Sequence, residues 1–126
     1  MVVLDTSALL YWTLDPDRLS SNAAQAIDQA EWILISSISI WEIALKVKRQ
    51  KLVLPLTIVD YVNRLQRLEA LEILAVDVQT WLDNLDLAWE HRDPADRTIV
   101  ALAARKNCSL ISSDRLIADY YPQTIW

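Results

Sequence analysis

The sequence predicts an α/β domain of three layers, in which helices cover both faces of a central, mainly parallel sheet of four to five strands. Short apolar runs without alternation are typical of strands buried on both faces, and such runs recur along the 126 residues. Segments with the apolar spacing of helices separate them, and this alternation indicates parallel pairing. No linker, repeat or low-complexity stretch interrupts the pattern, so we expect a single domain over residues 1–126.

The N-terminal half begins with a strand, a polar turn and a helix. Val2–Leu4 is apolar, and the hydroxyl of Thr6 or Ser7 is suited to cap a helix over Ala8–Leu14, which Pro16 ends. The same reasoning predicts the elements that follow: a helix from Ser20 or Ser21 to Ala30, a strand over Trp32–Ile35, and a helix over Ile38–Gln50.

The C-terminal half continues the alternation of helices and strands. Apolar side chains recur at helical spacing over Ile58–Leu71, and Pro94 stands where proline is favoured, at the start of a helix over Ala95–Lys106. The remaining predictions are a strand over Ile73–Val76, a bent or double helix over Val78–Glu90, a strand over Ser109–Ile111, a short helix over Ser112–Tyr120 and an edge strand over Thr124–Trp126.

The composition excludes several kinds of chemistry. The chain has no glycine, so it cannot form the glycine-rich loops that bind nucleotide phosphates, and we expect no nucleotide cofactor. One histidine and one cysteine exclude paired-histidine catalysis and thiolate zinc clusters. The 17 Asp and Glu residues remain, and sites made of oxygen ligands suit Mg²⁺ or Mn²⁺.

Three features predict a cytoplasmic protein with no membrane partner. The apolar runs are much shorter than the roughly 20 residues that span a bilayer. The N-terminus has no basic flank of the kind that precedes a signal sequence, and the single cysteine suits a reducing compartment.

Aspartates follow three of the predicted strands. Asp5, Asp77 and Asp114 each come at or just after a strand end, and ligands of open parallel sheets bind at that edge. Aspartate is also favoured as a helix N-cap, which is the better explanation for any one of them alone. Asp93 also fits a cap better than a site.

Two further acids are more informative. Asp96 shares the apolar face of its helix with Ile99, and a carboxylate aimed inward must be paired, capped or bound to a metal. Glu42 stays undecided on pattern alone. It fits a surface pair with Lys46 one turn later, or a capping box with Ser39.

The charge distribution does not decide whether the protein binds nucleic acid. The formal net charge of −5 is unusual for a protein that binds nucleic acid, which commonly carries a basic face. The cations Lys46, Lys48, Arg49 and Lys51 nevertheless cluster. Such a run is either a local nucleic-acid contact or an ordinary solvated helix end.

Four stretches, taken together and in this order, resemble the PIN-domain ribonucleases, in particular the toxins of VapBC toxin–antitoxin pairs. They are LDTSALL at 4–10, SSISIWEIALK at 36–46, HRDPADRTIVALAA at 91–104 and LISSD at 110–114. The resemblance extends over essentially the whole chain. It implies a PIN-like fold, Mg²⁺- or Mn²⁺-dependent cleavage of RNA, a VapB-type antitoxin and a homodimer.

The resemblance also implies a set of site residues. The family's acids fall on four positions, of which Asp5 and Asp96 match the most dependable metal ligands, and Asp77 and Asp93 lie outside the set. The implied acids are Asp5, Glu42, Asp96 and Asp114, with supporting hydroxyls from Thr6 and Ser112 and possible substrate contacts from Lys46, Arg97 and His91. Relatives usually have glycine at two helix ends where this chain has Gln50 and Asn107. Asparagine suits the left-handed conformation that such a helix end requires. Glutamine does not, so the turn expected at Gln50 is in doubt.

Converging carboxylates explain why such a site would take a metal. Two of them about 4 Å apart repel by roughly 4 kcal/mol at an effective dielectric of 20, so a cluster must take up protons or cations. The expected reaction is in-line attack on the phosphodiester by a water that the metal activates. The resemblance implies that the products carry a 5′-phosphate and a 3′-hydroxyl.

Two alternatives remain at this stage. A PIN-like module of weak or no catalytic activity would only bind RNA or protein. A phosphoacceptor receiver domain would use Asp77, although the chain lacks the paired acids and the lysine that such domains need.

Overall fold

The sheet lies at the centre of the molecule and all its strands are parallel. The computed structural model describes residues 1–126. The strand order is β3-β2-β1-β4-β5, which confirms the predicted parallel sheet. The strands are β1 (Val2–Leu4), β2 (Ile33–Ser36), β3 (Leu71–Leu74), β4 (Ser109–Ile111) and β5 (Thr124–Ile125).

Seven α-helices connect the strands, with a short 3₁₀ helix at Pro16–Arg18. No helix combines the length and the apolar composition that crossing a bilayer requires. The helices are α1 (Thr6–Leu14), α2 (Ser21–Gln29), α3 (Ser37–Lys48), α4 (Ile58–Gln66), α5 (Val78–Asp86), α6 (Pro94–Lys106) and α7 (Arg115–Tyr120).

The core is divided by the sheet into two clusters, as the three-layer prediction requires. Successive strand residues point to opposite faces, so Val2 and Leu4 enter one cluster and Val3 enters the other. Helices α1 to α4 cover the first face, where Ile43 of α3 is fully buried. Helices α6 and α7 cover the second face, where Ile99 of α6 is fully buried.

Helix starts differ from the prediction by a few residues. Asp5, rather than Thr6 or Ser7, caps α1, since its Oδ1 accepts from the Ala8 amide at 2.8 Å. Ser36 rather than Ser39 caps α3, so the predicted capping box between Ser39 and Glu42 is wrong. In both places the cap is the residue that ends the strand or follows it directly.

Helix ends differ more. The predicted helix over Val78–Glu90 stops at Asp86, and the chain is extended at Leu87. Helix α4 ends at Gln66, five residues before the predicted Leu71, which instead begins β3.

Two residues other than glycine adopt the left-handed conformation. Asn107 has φ 48° at the end of α6, and Gln50 has φ 60° just after α3. The asparagine was the predicted substitute for glycine. Glutamine takes the same conformation without glycine's freedom, at a cost on the order of 1 kcal/mol.

Candidate active site

Asp5 lies at the centre of the sheet edge where the strands end. Its amide donates to the Ile111 carbonyl at 3.1 Å, and this hydrogen bond joins the ends of β1 and β4. The strand order reverses between these two strands, since β2 and β3 lie on one side of β1 and β4 and β5 on the other. Asp5 is only 6% exposed. Burial raises its pKa to about 6, hydrogen bonds from Ser112 and Ala8 lower it, and repulsion from nearby carboxylates adds to the rise. Those carboxylates belong to Asp96 and Asp114.

Glu42 reaches the same edge from α3. The hydroxyl of Thr6 donates to Glu42 Oε1, and it also lies 2.9 Å from the hydroxyl of the buried Ser39. Burial raises the pKa of Glu42, against the hydrogen bond from Thr6, and repulsion by Asp93 and Asp96 raises it further. Glu42 forms no ion pair, so the surface pair with Lys46 is absent.

Asp96 occupies the first turn of α6 and pairs with the single histidine. His91 Nε2 lies 2.8 Å from Asp96 Oδ2, and both side chains are half-buried. Burial raises the pKa of Asp96, the hydrogen bond from His91 lowers it, and Asp93 and Asp114 raise it by repulsion. The carboxylate is therefore held at one oxygen, on a face that otherwise belongs to the core.

Asp114 completes the group from the segment after β4. Its amide donates to Ser112 Oγ at 3.1 Å, and its Oδ1 accepts from the Leu116 amide at 2.9 Å as the cap of α7. Ser112 is 1% exposed and hydrogen-bonds Asp5. The short turn after β4 thus places Ser112 against Asp5 and Asp114 beside them.

The structure brings together the four acids and the two supporting hydroxyls that the sequence predicted. Repulsion couples Asp5 to Asp96 and Asp114, and Glu42 to Asp96. No three His, Cys, Asp or Glu side chains are arranged to enclose a metal directly. Mg²⁺ commonly takes one or two carboxylates and completes its shell with water, so this hard-oxygen edge fits it.

Arg97 is engaged within the protein, and its contact with substrate stays a prediction. A guanidinium has five N–H donors, and Arg97 uses them on the side-chain oxygen of Asn84 and on four backbone carbonyls. Those carbonyls belong to Asn84, Leu87, Trp89 and His91. The arginine therefore fixes the segment between α5 and α6, and it explains why α5 ends before that segment.

His91 is held against Asp96 by the same segment. Its ring lies 4.6 Å from the Trp89 ring, which in turn stacks on Tyr120 at 4.8 Å. Arg97 binds the carbonyls of both Trp89 and His91. The role of Trp89 was not predicted, because contacts between an aromatic ring and a residue two places on leave no periodic signal in the sequence.

Asp77 lies outside the group, whereas Asp93 adjoins it as a helix cap. Asp77 is exposed beyond β3, and hydrogen bonds from the Thr80 hydroxyl and amide lower its pKa. Asp93 accepts from the amides of Ala95 and Asp96 as the cap of α6, as predicted, yet lies near enough to raise the pKa of Glu42.

Comparison with known proteins agrees with this architecture. The curated ribonuclease VapC22 of Mycobacterium tuberculosis is 27% identical over 128 residues, which span 99% of this chain and 98% of that protein. A toxin–antitoxin complex from Klebsiella pneumoniae has a TM-score of 0.67 at 18% identity, covering 100% of this chain and 97% of the matched chain. VapC20 of Mycobacterium tuberculosis, described as a sarcin-ricin loop cleaving toxin, has a TM-score of 0.67 at 13% identity and covers 94% of each chain.

The family match covers nearly the whole length of the sequence. It extends over residues 2–121 and therefore includes all five strands but the last, together with every acid described above. With the parallel sheet and the acidic edge in place, this match means that the chain belongs to the PIN domain family.

Proposed function

We propose that this protein is a metal-dependent endoribonuclease and the toxin of a toxin–antitoxin pair of the VapC type. The observation that carries the proposal is the mutually repelling group of acids at the carboxyl ends of the central strands, in which Asp5 is buried with its pKa raised to about 6 and the other three are half-buried. Full-length similarity to a ribonuclease at 27% identity supports the choice of RNA. Membership of the PIN domain family also removes the receiver-domain alternative.

Asp5 and Asp96 would hold the principal Mg²⁺ or Mn²⁺, and Glu42 and Asp114 would orient water or a second ion. When bound, the cation polarises the phosphodiester and lowers the pKa of the attacking water. Within the protein, Thr6 fixes one oxygen of Glu42 and leaves the other free.

The remaining contacts orient the two principal acids. Ser112 and the Ala8 amide hydrogen-bond Asp5, and His91 binds Oδ2 of Asp96, so Oδ1 of that carboxylate has no hydrogen-bond partner in the protein. Fixed ligands matter because a metal site loses affinity when its carboxylates can rotate.

The proposed partners are an RNA substrate, a VapB-type antitoxin and a second copy of the chain. Similarity of fold to a toxin–antitoxin complex supports the antitoxin. The homodimer and the cytoplasmic location rest on the sequence resemblance and composition.

Cleavage of total cellular RNA by the purified, antitoxin-free protein tests the proposal. We expect cutting with Mg²⁺ or Mn²⁺, none with EDTA, and none from the Asp5→Asn/Asp96→Asn double variant. The matched control is Asp60→Asn/Asp77→Asn, which removes the same charge from exposed positions away from the site.

Two further readouts separate the alternatives. End mapping should give 5′-phosphates, whereas 2′,3′-cyclic phosphates would show attack by the ribose hydroxyl and refute the mechanism. Mn²⁺ should raise the melting temperature of the wild type and not of the double variant. RNA binding without turnover, from protein that is folded by this criterion, would instead support the module that only binds.

A further inference from the structure

A compact group of exposed cations lies next to the acidic edge and forms no salt bridge within the protein, although Arg18 lies over the Tyr11 ring and Lys46 is near enough to Glu42 to lower its pKa. Arg18, Lys46, Arg49 and Lys51 are all exposed, and none forms an ion pair, although the chain has a net charge of −5. Together with Trp41, which is 59% exposed, they form what we term the basic surface. Cations left unpaired in an acidic protein point to an anion from outside the chain.

The turn at Gln50 makes this surface compact. After α3 the chain reverses, with the Gln50 amide donating to the Val47 carbonyl at 3.1 Å and the Lys51 amide donating to the Lys46 carbonyl at 2.8 Å. This arrangement requires the left-handed conformation of Gln50, with φ 60°. The reversal brings Lys51 back beside Lys46, so a residue in a costly conformation holds the two lysines together.

The basic surface is continuous with the acidic site. A depression of about 170 Å³ is lined by Trp41 and Glu42 at one end and by Lys46, Arg49 and Lys51 at the other. Glu42 and Lys46 are four residues apart on α3 and Arg49, its C-cap, follows three residues later, so the three lie along one face of the helix away from the site.

A second depression meets the first at the two lysines. Its volume is about 430 Å³, and its lining includes Ser7, two residues from Asp5, as well as Arg18, Lys46 and Lys51. The carboxylates that face these depressions are Glu42 and Asp15. The two depressions therefore share Lys46 and Lys51, and the first of them also reaches Glu42 of the acidic edge.

We propose that the basic surface binds the RNA strand on one side of the cleaved phosphodiester, with Lys46 and Lys51 on successive phosphates and Trp41 stacked on an unpaired base. This inference rests on the proposed ribonuclease function. A strand held at Glu42 has to leave the site across neighbouring surface, and here that surface carries cations for a backbone and an exposed indole for a base. An acidic peptide would match the cations and would leave the indole unexplained.

Binding of a fluorescent single-stranded RNA of about 12 nucleotides, with Mg²⁺ and over a range of salt, tests the phosphate contacts. The Asp5→Asn protein serves as background so that RNA is not cut. Adding Lys46→Ala/Lys51→Ala should weaken binding about tenfold and reduce the slope of log Kd against log salt by about 1.4, as two lost phosphate contacts on a single strand predict. The matched control, Arg67→Ala/Lys106→Ala, removes two exposed cations that line neither depression and should change both quantities little.

Trp41→Ala tests the base contact separately. It should weaken binding of this RNA about tenfold and leave binding of an abasic strand of equal length unchanged, because an abasic strand has nothing to stack. Trp41→Phe should restore part of the loss. A general loss of folding would instead weaken both strands together.

Several results would overturn the inference. Equal losses in the lysine variant and its control would show only an effect of net charge. Unchanged RNA affinity in the lysine variant, with lost affinity for a polyglutamate peptide, would assign the surface to an acidic protein. If the wild type cuts RNA while these binding results fail, the inference alone is refuted; if the wild type does not cut, the proposed function fails first.

Discussion

The ends of strands β1 and β3 are each followed by an aspartate that caps the next helix, but the surroundings of the two aspartates differ. At the end of β1, Asp5 caps α1 by accepting from the amide three residues on at 2.8 Å, and beyond β3, Asp77 caps α5 with the same contact at 2.8 Å. Burial raises the pKa of Asp5 to about 6, whereas hydrogen bonds from Thr80 lower the pKa of the exposed Asp77. A capping role therefore does not exclude a catalytic one.

Position in the sheet accounts for the difference. Strand β1 has a parallel neighbour on each side, and its end meets residues from β4 and from helices α3 and α6. Strand β3 is at the edge of the sheet, so Asp77 has protein on one side only. At the centre of the sheet, Asp5 is buried and is repelled by other carboxylates. At the edge, Asp77 is an exposed helix cap.

The largest expected effect is on cleavage. Asp5→Asn should reduce the rate on the order of a thousandfold, or about 4 kcal/mol of transition-state stabilisation, because the proposed metal ligand is lost. Asn is as good an N-cap as Asp, so α1 should remain intact. Asp77→Asn should cut at the wild-type rate. Initial rates on one labelled RNA measure both, and comparable losses in the two variants would end the distinction between the two strand ends.

The next effect is on the pH dependence of stability without metal. The folded pKa of Asp5, about 6, lies above its ordinary 3.8, so the folded chain holds a proton that the unfolded chain loses between these values. Its contribution is most favourable below pH 4 and falls by about 3 kcal/mol as the pH rises to 6. In EDTA, Asp5→Asn should therefore be more stable than wild type above pH 6, and the two should converge near pH 4.

Asp77 should show the opposite sign. Its pKa is lowered in the folded chain, so its favourable contribution is present above its ordinary pKa and is lost as the pH falls. Urea unfolding at several pH values, for wild type and for each Asn variant, measures both slopes. Parallel curves for wild type and Asp5→Asn would mean that Asp5 is not the buried, repelled carboxylate described here.

A smaller effect is expected at the neighbour of Asp96. His91→Ala frees the carboxylate oxygen that His91 now binds, and loss of an orienting contact of this kind costs about tenfold or more in metal affinity. His91→Gln, which keeps a donor, should recover part of it. The Mn²⁺ concentration giving half the full rise in melting temperature is the measurement, and an unchanged midpoint would assign His91 to the substrate or to packing alone.

Most of this fold could be predicted from the sequence, because its apolar runs are short and the segments between them have the apolar spacing of helices. The strand over Ser109–Ile111 matches its prediction at both ends, since a buried run between Cys108 and Ser112 leaves little freedom of register. Helix ends were harder. The end of α5 at Asp86 depends on Arg97, which binds the carbonyls of Asn84 and Leu87 from thirteen and ten positions away in α6.

The site shows the same limit. Asp96 could be singled out because a charge on an apolar helix face needs a partner, and Asp5 because it ends a strand. Glu42 could not, since its contact with Thr6 joins residues 36 positions apart, and only the resemblance pointed to it. The internal role of Arg97 could not be predicted either, because its five hydrogen bonds join it to residues that are six to thirteen positions earlier and follow no periodic pattern.

The smallest effect belongs to the edge of the sheet. Asp77→Ala removes the cap of α5 and should lower the urea midpoint, while Asp77→Asn keeps an accepting oxygen and should lower it much less. Neither substitution should change the rate of RNA cleavage. Urea midpoints for both variants test the cap, and a loss of cleavage in Asp77→Ala without loss of stability would place Asp77 in the site after all. Asp77→Asn keeps the capping hydrogen bond and Asp77→Ala removes it. If neither variant changes cleavage, the difference between Asp5 and Asp77 comes from their burial and not from the hydrogen bond that they share.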